Sequence, residues 1–132
     1  MRRYKPSDPL SYFARYRWYL RALNAKKAER AKILADINSG EISRDTLDKH
    51  WGEQIKDEMK NLRRKLSEIE QTVESIPETP ELLPCKLFLR LYFILGMSMT
   101  DTAEKMNISI STARRIRERA SEYFESFPFR NQ

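Results

Sequence analysis

Cysteine is almost missing from this chain of 132 residues, with Cys85 the only one. A single thiol excludes a disulfide within the chain and any cysteine metal cluster. Histidine is as scarce: His50 stands alone, and a lone histidine on a helix flank reads as a surface or packing residue. Only three glycines are present, and none forms a glycine-rich phosphate loop or a nucleophile elbow. Long apolar runs are absent too. The longest, residues 87–95, is broken by Arg90 and is too short to span a bilayer. The first twenty residues are basic and aromatic without a continuous apolar stretch, so no signal peptide is expected. Carboxylates such as Asp45, Asp48, Asp57 and Glu58 fall on expected solvated helices. None has a neighbouring base or pocket of the kind acid–base or metal catalysis requires. The expectation is a protein that is not an enzyme, uses no cofactor or metal, avoids the membrane, and works in a reducing cytoplasm.

What is abundant is charge, at 33% of residues against 40% hydrophobic. That balance suits long exposed helices more than a thick core. The net charge is +6, which favours an anionic partner without naming one. It is unevenly spread: +8 over residues 1–35, −5 over 36–85 and +3 over 86–132. The acidic middle argues against a uniform polyanion coat.

Punctuation by Gly40 and by the prolines of residues 77–84 divides the chain. Asp8 and Pro9 predict a helix start, and Ser39-Gly40 a stop near Asn38. Residues 12–21, dense in aromatics and arginine, allow three roles: packing against a second helix, protein contact, or a second nucleic-acid surface. Ser43 is the expected N-cap of that second helix. It carries Leu47, Trp51, Ile55, Met59, Leu62, Leu66, Ile69, Val73 and Ile76 in steps of three and four. From Met59 onward this is a coiled-coil spacing. So narrow a stripe must be covered, either by the first helix folding back or by the same helix of a second chain. Pro77 and Pro80 then interrupt the helix. The predicted organisation is a helical oligomerisation part at 1–76, a linker at 77–81, and a separate C-terminal part at 82–132, whose chemistry follows.

After the linker, residues 82–95 predict an apolar helix with Leu83, Leu87, Leu91 and Leu95 on one face, ended by Gly96. A short helix follows, capped by Ser98 or Thr100, with Ala103 at a close crossing. Cys85 reads as a small core residue. Ser109 caps a final helix over about residues 110–126. At about 100° per residue, Ala113, Ile116, Ala120, Tyr123, Phe124 and Phe127 share one side. Ser111, Arg114, Arg115, Glu118 and Glu122 fall opposite, with Arg117 and Arg119 at the edges. A helix whose N-terminal turns expose hydroxyl and guanidinium groups fits the major groove. Arginine reads guanine bidentately, and serine or threonine serves base or phosphate. The expected DNA-contacting residues are Ser109, Ser111, Thr112, Arg114, Arg115, Arg117, Glu118 and Arg119.

Residues 87–106, LFLRLYFILGMSMTDTAEKM, and 108–116, ISISTARRI, resemble region four of bacterial sigma factors and its recognition helix. In style the chain resembles the RinA- and ArpU-like late-gene regulators of phages and prophages, down to Arg115-Ile116-Arg117-Glu118-Arg119-Ala120. The likeness is firm over residues 82–124 and loose over 10–76. It departs at Ala113, where a larger apolar residue is common, and the upstream sigma regions that open promoters are missing. The resemblance implies an all-α fold, a long helical hairpin or coiled coil followed by a three-helix, sigma region-four-like helix-turn-helix. It also implies activation of phage genes, with duplex DNA, RNA polymerase and a second copy of the chain as partners. Two other readings remain beside it: a DNA-packaging component like a phage terminase small subunit, and a pure interaction module contacting RNA polymerase.

Overall fold

Asp8 starts the first helix as capping chemistry requires. Its carboxylate accepts a hydrogen bond from the Leu10 amide at 2.9 Å, and its carbonyl accepts one from Ser11, satisfying amides that a helix start leaves orphaned. In the computed structural model, which describes residues 8–40 and 52–127, α1 runs over Ser11–Asn38. Its end is set at Gly40, whose φ is +86° and whose amide returns to Ile37 O at 3.0 Å. Then come α2 (Glu53–Glu74), α3 (Leu83–Leu89), α4 (Met99–Met106) and α5 (Ile110–Phe124). A single π turn, Arg90–Ile94, prolongs α3. All regular structure among the described residues is helical, and no described helix is long and apolar enough to cross a membrane. The expected cap Ser43, together with Asp45, Leu47, Asp48, His50 and Trp51, lies outside the described residues.

Contacts gather into two units: Met1–Arg17 with Glu68–Gln132, and Trp18–Ser67. Residues 77–81 therefore lie inside the first unit. In the second, Tyr19 and Leu23 of α1 and Ile55, Met59 and Leu66 of α2 are buried. Lys26 pairs with Glu58 at 2.6 Å, and the Lys65 ammonium stands 5.1 Å from the centre of the Tyr19 ring. Rising numbers on one helix meet falling numbers on the other, so the two segments run antiparallel. Trp18, in the same stretch, is 63% exposed.

The first unit is built around aromatic rings. Phe13, from the start of α1, is fully buried, with ring centres 5.0 Å from Phe124 and 6.0 Å from Phe93. Ile69, Val73 and Ile76 are buried in the same unit. Tyr16 donates to Glu70 Oε2 at 2.8 Å. Burial foremost, then the Glu70 hydrogen bond and charge, push the Tyr16 pKa from 10.0 up to about 12, against the Arg17 charge. A raised pKa means that the fold favours the protonated phenol. Its stabilisation is whole below pH 10 and is lost as pH rises from about 10 through 12. The shift corresponds to roughly 2–3 kcal/mol, reduced to about 1–2 kcal/mol by solvent screening at the exposed Glu70. Urea titrations at pH 9 and pH 11 should show this loss in the wild type and a smaller one in Tyr16→Phe. An equal loss in both proteins would refute the role given to this phenol.

The leucine face expected along residues 82–95 is not the buried one. Leu87 is 36% and Leu95 56% exposed, whereas Cys85, Phe88, Leu89 and Phe93 are buried. Leu87 precedes the π turn and lies off the buried side by ordinary helix phase, because Cys85, Phe88 and Leu89 take that side of α3. Beyond them the Leu95 amide bonds to Arg90 O at 2.9 Å, five residues back, and the extra residue shifts the phase so that Phe93 is buried and Leu95 is not. Lys86 is buried beside this helix, and its ammonium donates to Glu74 O, the last carbonyl of α2, at 3.1 Å. Arg90 pairs with the Glu74 carboxylate at 2.6 Å, and that hydrogen bond holds the Glu74 pKa below the ordinary carboxylate value. Cations at a helix C-terminus answer its unpaired carbonyls and partial negative charge.

Candidate nucleic-acid interface

The interface begins at the bend between α3 and α4. Gly96 sits at φ +72°, and a Cβ built there would overlap the Arg17 guanidinium. The left-handed backbone is what favours glycine there, since the guanidinium is the end of a flexible side chain that can shift. Ser98 then caps α4, its Oγ accepting from the Asp101 amide at 3.0 Å. Asn107 closes α4 in the left-handed region at φ 60°, with its own amide on Glu104 O and the Ile108 amide on Ala103 O, both at 3.0 Å. This paired closure is a Schellman motif, and asparagine tolerates the conformation better than most residues. Three residues separate α4 from α5. Buried Thr102 and Ala103 of α4, with Ala113 of α5, give the small contact surfaces that let the two helices pack closely.

Ser109 caps α5. Its Oγ accepts from the Thr112 amide at 3.1 Å, and its own proton goes to Thr112 Oγ1 at 2.9 Å. The first amides of α5, those of Ile110 and Ser111, have no acceptor within the helix and add partial positive charge at its start. Ser109→Ala is expected to cost about 1 kcal/mol of stability through the lost cap. Chemical denaturation of the single variant measures this, and a change under about 0.3 kcal/mol would contradict the capping role.

Ser111, Arg114, Arg115, Glu118 and Arg119 are exposed along α5, and Thr112 is half-buried. Among the described residues none of the three arginines is drawn into an ion pair. Ala113, Ile116, Ala120 and Phe124 pin the opposite side. The exception is Arg117. Expected at an edge of the DNA-facing surface, it is only 7% exposed and belongs with the core. It stands four residues after Ala113 and three before Ala120, both fully buried, so small neighbours leave room for its hydrocarbon stem. Comparisons with family models, with curated proteins and with solved structures each give no match. The chemistry of the interface thus rests on this chain alone.

That chemistry is a short cationic ridge with two carboxylates inside it. Arg114, Arg115 and Arg119 line one open concavity with Glu118 and Glu122. A second lies where α4 meets α5, between Thr100, Glu104, Asn107 and Ile110. Guanidinium groups provide forked donors for phosphate or guanine. Glutamates a turn further on repel phosphate and accept only from exocyclic amino groups. For an anionic partner the first turns of the helix are therefore the most favourable part of this surface. Among the described residues no cluster of His, Cys, Asp or Glu is arranged to hold a metal ion. Sequence periodicity missed two buried cations, Lys86 and Arg117. The readable signal for Arg117 was its pair of flanking alanines, and for Lys86 the carboxylates at positions 74 and 78, each of which it approaches within 4.0 Å.

Proposed function

We propose that this chain is a phage or prophage transcription regulator, an activator that binds duplex promoter DNA and performs no catalysis. On this reading α4 and α5 form the helix-turn-helix of a sigma region-four-like domain, with α3 as its first helix. The observation that carries it is the set of exposed Arg114, Arg115 and Arg119, free of ion pairs among the described residues, on a capped helix whose far side is fixed in a core. The phage setting and the direction of regulation come from the resemblance of residues 87–116 to that family. The antiparallel α1 and α2 segments make up the long helical hairpin, and a dimer would present two recognition helices to half-sites about one helical turn apart.

Selection of bound sequences from a random duplex pool, followed by affinity measurements across salt concentration, tests this. Each phosphate contact should steepen the fall of log K with log salt by about 0.9. A pool that never converges, or a binding constant indifferent to salt, would remove the reading. A ring of many subunits in light scattering would favour the packaging component instead. The interaction-module reading draws on Trp18, a large aromatic left 63% exposed. It predicts that Trp18→Ala abolishes reporter activation with duplex binding intact.

A further inference from the structure

Next to the arginine ridge lies an apolar cleft of about 420 Å³. Leu83 and Leu87 of α3, Met106 and Ile108 at the turn, and Ile116 of α5 line it, and Arg115 and Arg119 stand on one rim. Leu87 is exposed here because Cys85, Phe88 and Leu89 take the buried side of α3. The two guanidinium groups are exposed and free of ion pairs among the described residues. Arg119 lines this cleft together with Leu83 and Leu87 of α3. A hydrocarbon cleft with unpaired cations on one rim is complementary to a molecule with an apolar body and a single anionic head. The volume lies within the roughly 300–1,000 Å³ of small-molecule sites, and a carboxylate matches the fork of an arginine.

We propose that this cleft binds an amphipathic monocarboxylate, its alkyl or aryl chain between α3 and α5 and its carboxylate on Arg115 and Arg119, and that the bound acid opposes duplex binding. The second half rests on the proposed function. Arg115 and Arg119 belong both to the cleft and to the ridge that faces DNA on the proposed reading, so a carboxylate seated there occupies two of the three exposed cations of α5 and cancels one of their charges. Acid and duplex then exclude one another, and linkage makes the antagonism reciprocal. A partner helix is the weaker occupant, because it would need a groove running for several turns.

The test uses the full chain and decanoate below its micelle threshold, followed by methyl NMR. Saturable shifts confined to Leu87, Met106, Ile108 and Ile116 are expected. Decanol should bind at least ~10-fold more weakly, and decyltrimethylammonium should not bind. Arg115→Gln with Arg119→Gln should weaken decanoate ~10-fold and leave decanol unchanged, whereas Leu87→Asn, at a partly exposed position, should weaken both. Diffuse or non-saturating shifts, or equal binding of anionic and cationic chains, would overturn the site. Decanoate should also raise the apparent Kd for a selected duplex in proportion to its occupancy. Binding of the acid with no effect on the duplex would overturn the antagonism. A chain that binds the acid but no duplex would overturn the DNA reading and leave the site standing.

Discussion

Phe13→Ala should destabilise the protein by about 3–5 kcal/mol, the range for removing a fully buried phenylalanine from a packed core. The ring has no solvent exposure and lies against Phe93, Phe124 and Tyr12, the last in an edge-on contact with centres 5.2 Å apart. Removing it deletes the transfer free energy of the ring and three aromatic contacts, and neighbours this large cannot collapse fully into the space. The cost should be felt at the far end of the chain. Phe124 closes α5, so loosening its partner loosens the helix that carries Arg114 and Arg115. Urea denaturation followed by both circular dichroism and amide exchange in α5 would measure the effect. Trp18→Ala, at an exposed ring, serves as control and should stay within about 0.5 kcal/mol. A Phe13→Ala loss below 1 kcal/mol, or unaltered exchange in α5, would show that α1 does not brace the arginine helix.

The second large effect is on recognition. Arg114→Ala and Arg115→Ala are each expected to weaken binding to the selected duplex by about 1–3 kcal/mol, with discrimination between bases relaxed at one position each. Both residues are exposed, so neither change should alter the stability of the fold by more than about 0.5 kcal/mol. That separates a binding defect from unfolding. Arg117→Ala should do the reverse. It strips a buried stem from between two alanines, so stability falls and the affinity of the folded fraction holds. Gel-shift titration beside thermal melting distinguishes the two patterns. Wild-type affinity in both Arg114→Ala and Arg115→Ala would withdraw the interface.

Much of this was legible in the residues. The helical class followed from composition and spacing. Asp8, Gly40, Gly96, Ser98 and Ser109 marked the ends they form, because caps and left-handed turns are local chemistry that a few side chains decide. The apolar side of α5 also followed, since an ideal helix keeps a fixed phase. The leucines of residues 82–95 were misplaced because that stretch is apolar nearly all round, so spacing does not tell that Cys85, Phe88 and Leu89 take the buried side, and the π turn beyond Leu89 leaves no periodic trace. Lys86 and Arg117 were hidden by their charge. A long cation can bury its carbon stem, and whether it does depends on neighbours distant in sequence, such as the carbonyl of Glu74. The reach of Phe13 into the C-terminal core was equally non-local.

The fit of Arg17 onto Gly96 bears on how such a protein can be cut and recombined. By sequence alone the C-terminal helices look portable, ready to be spliced behind another helical stem at the prolines. Yet the bend that orients them is occupied by a side chain more than seventy positions upstream, and their core borrows a ring from the same stretch. A chimaera joined at position 82 would carry α5 without Arg17 against Gly96 and without Phe13 among Phe93 and Phe124. If α5 reads DNA as proposed, its preference should be changed by exchanging its surface residues, and transplanting residues 82–132 alone should cost stability.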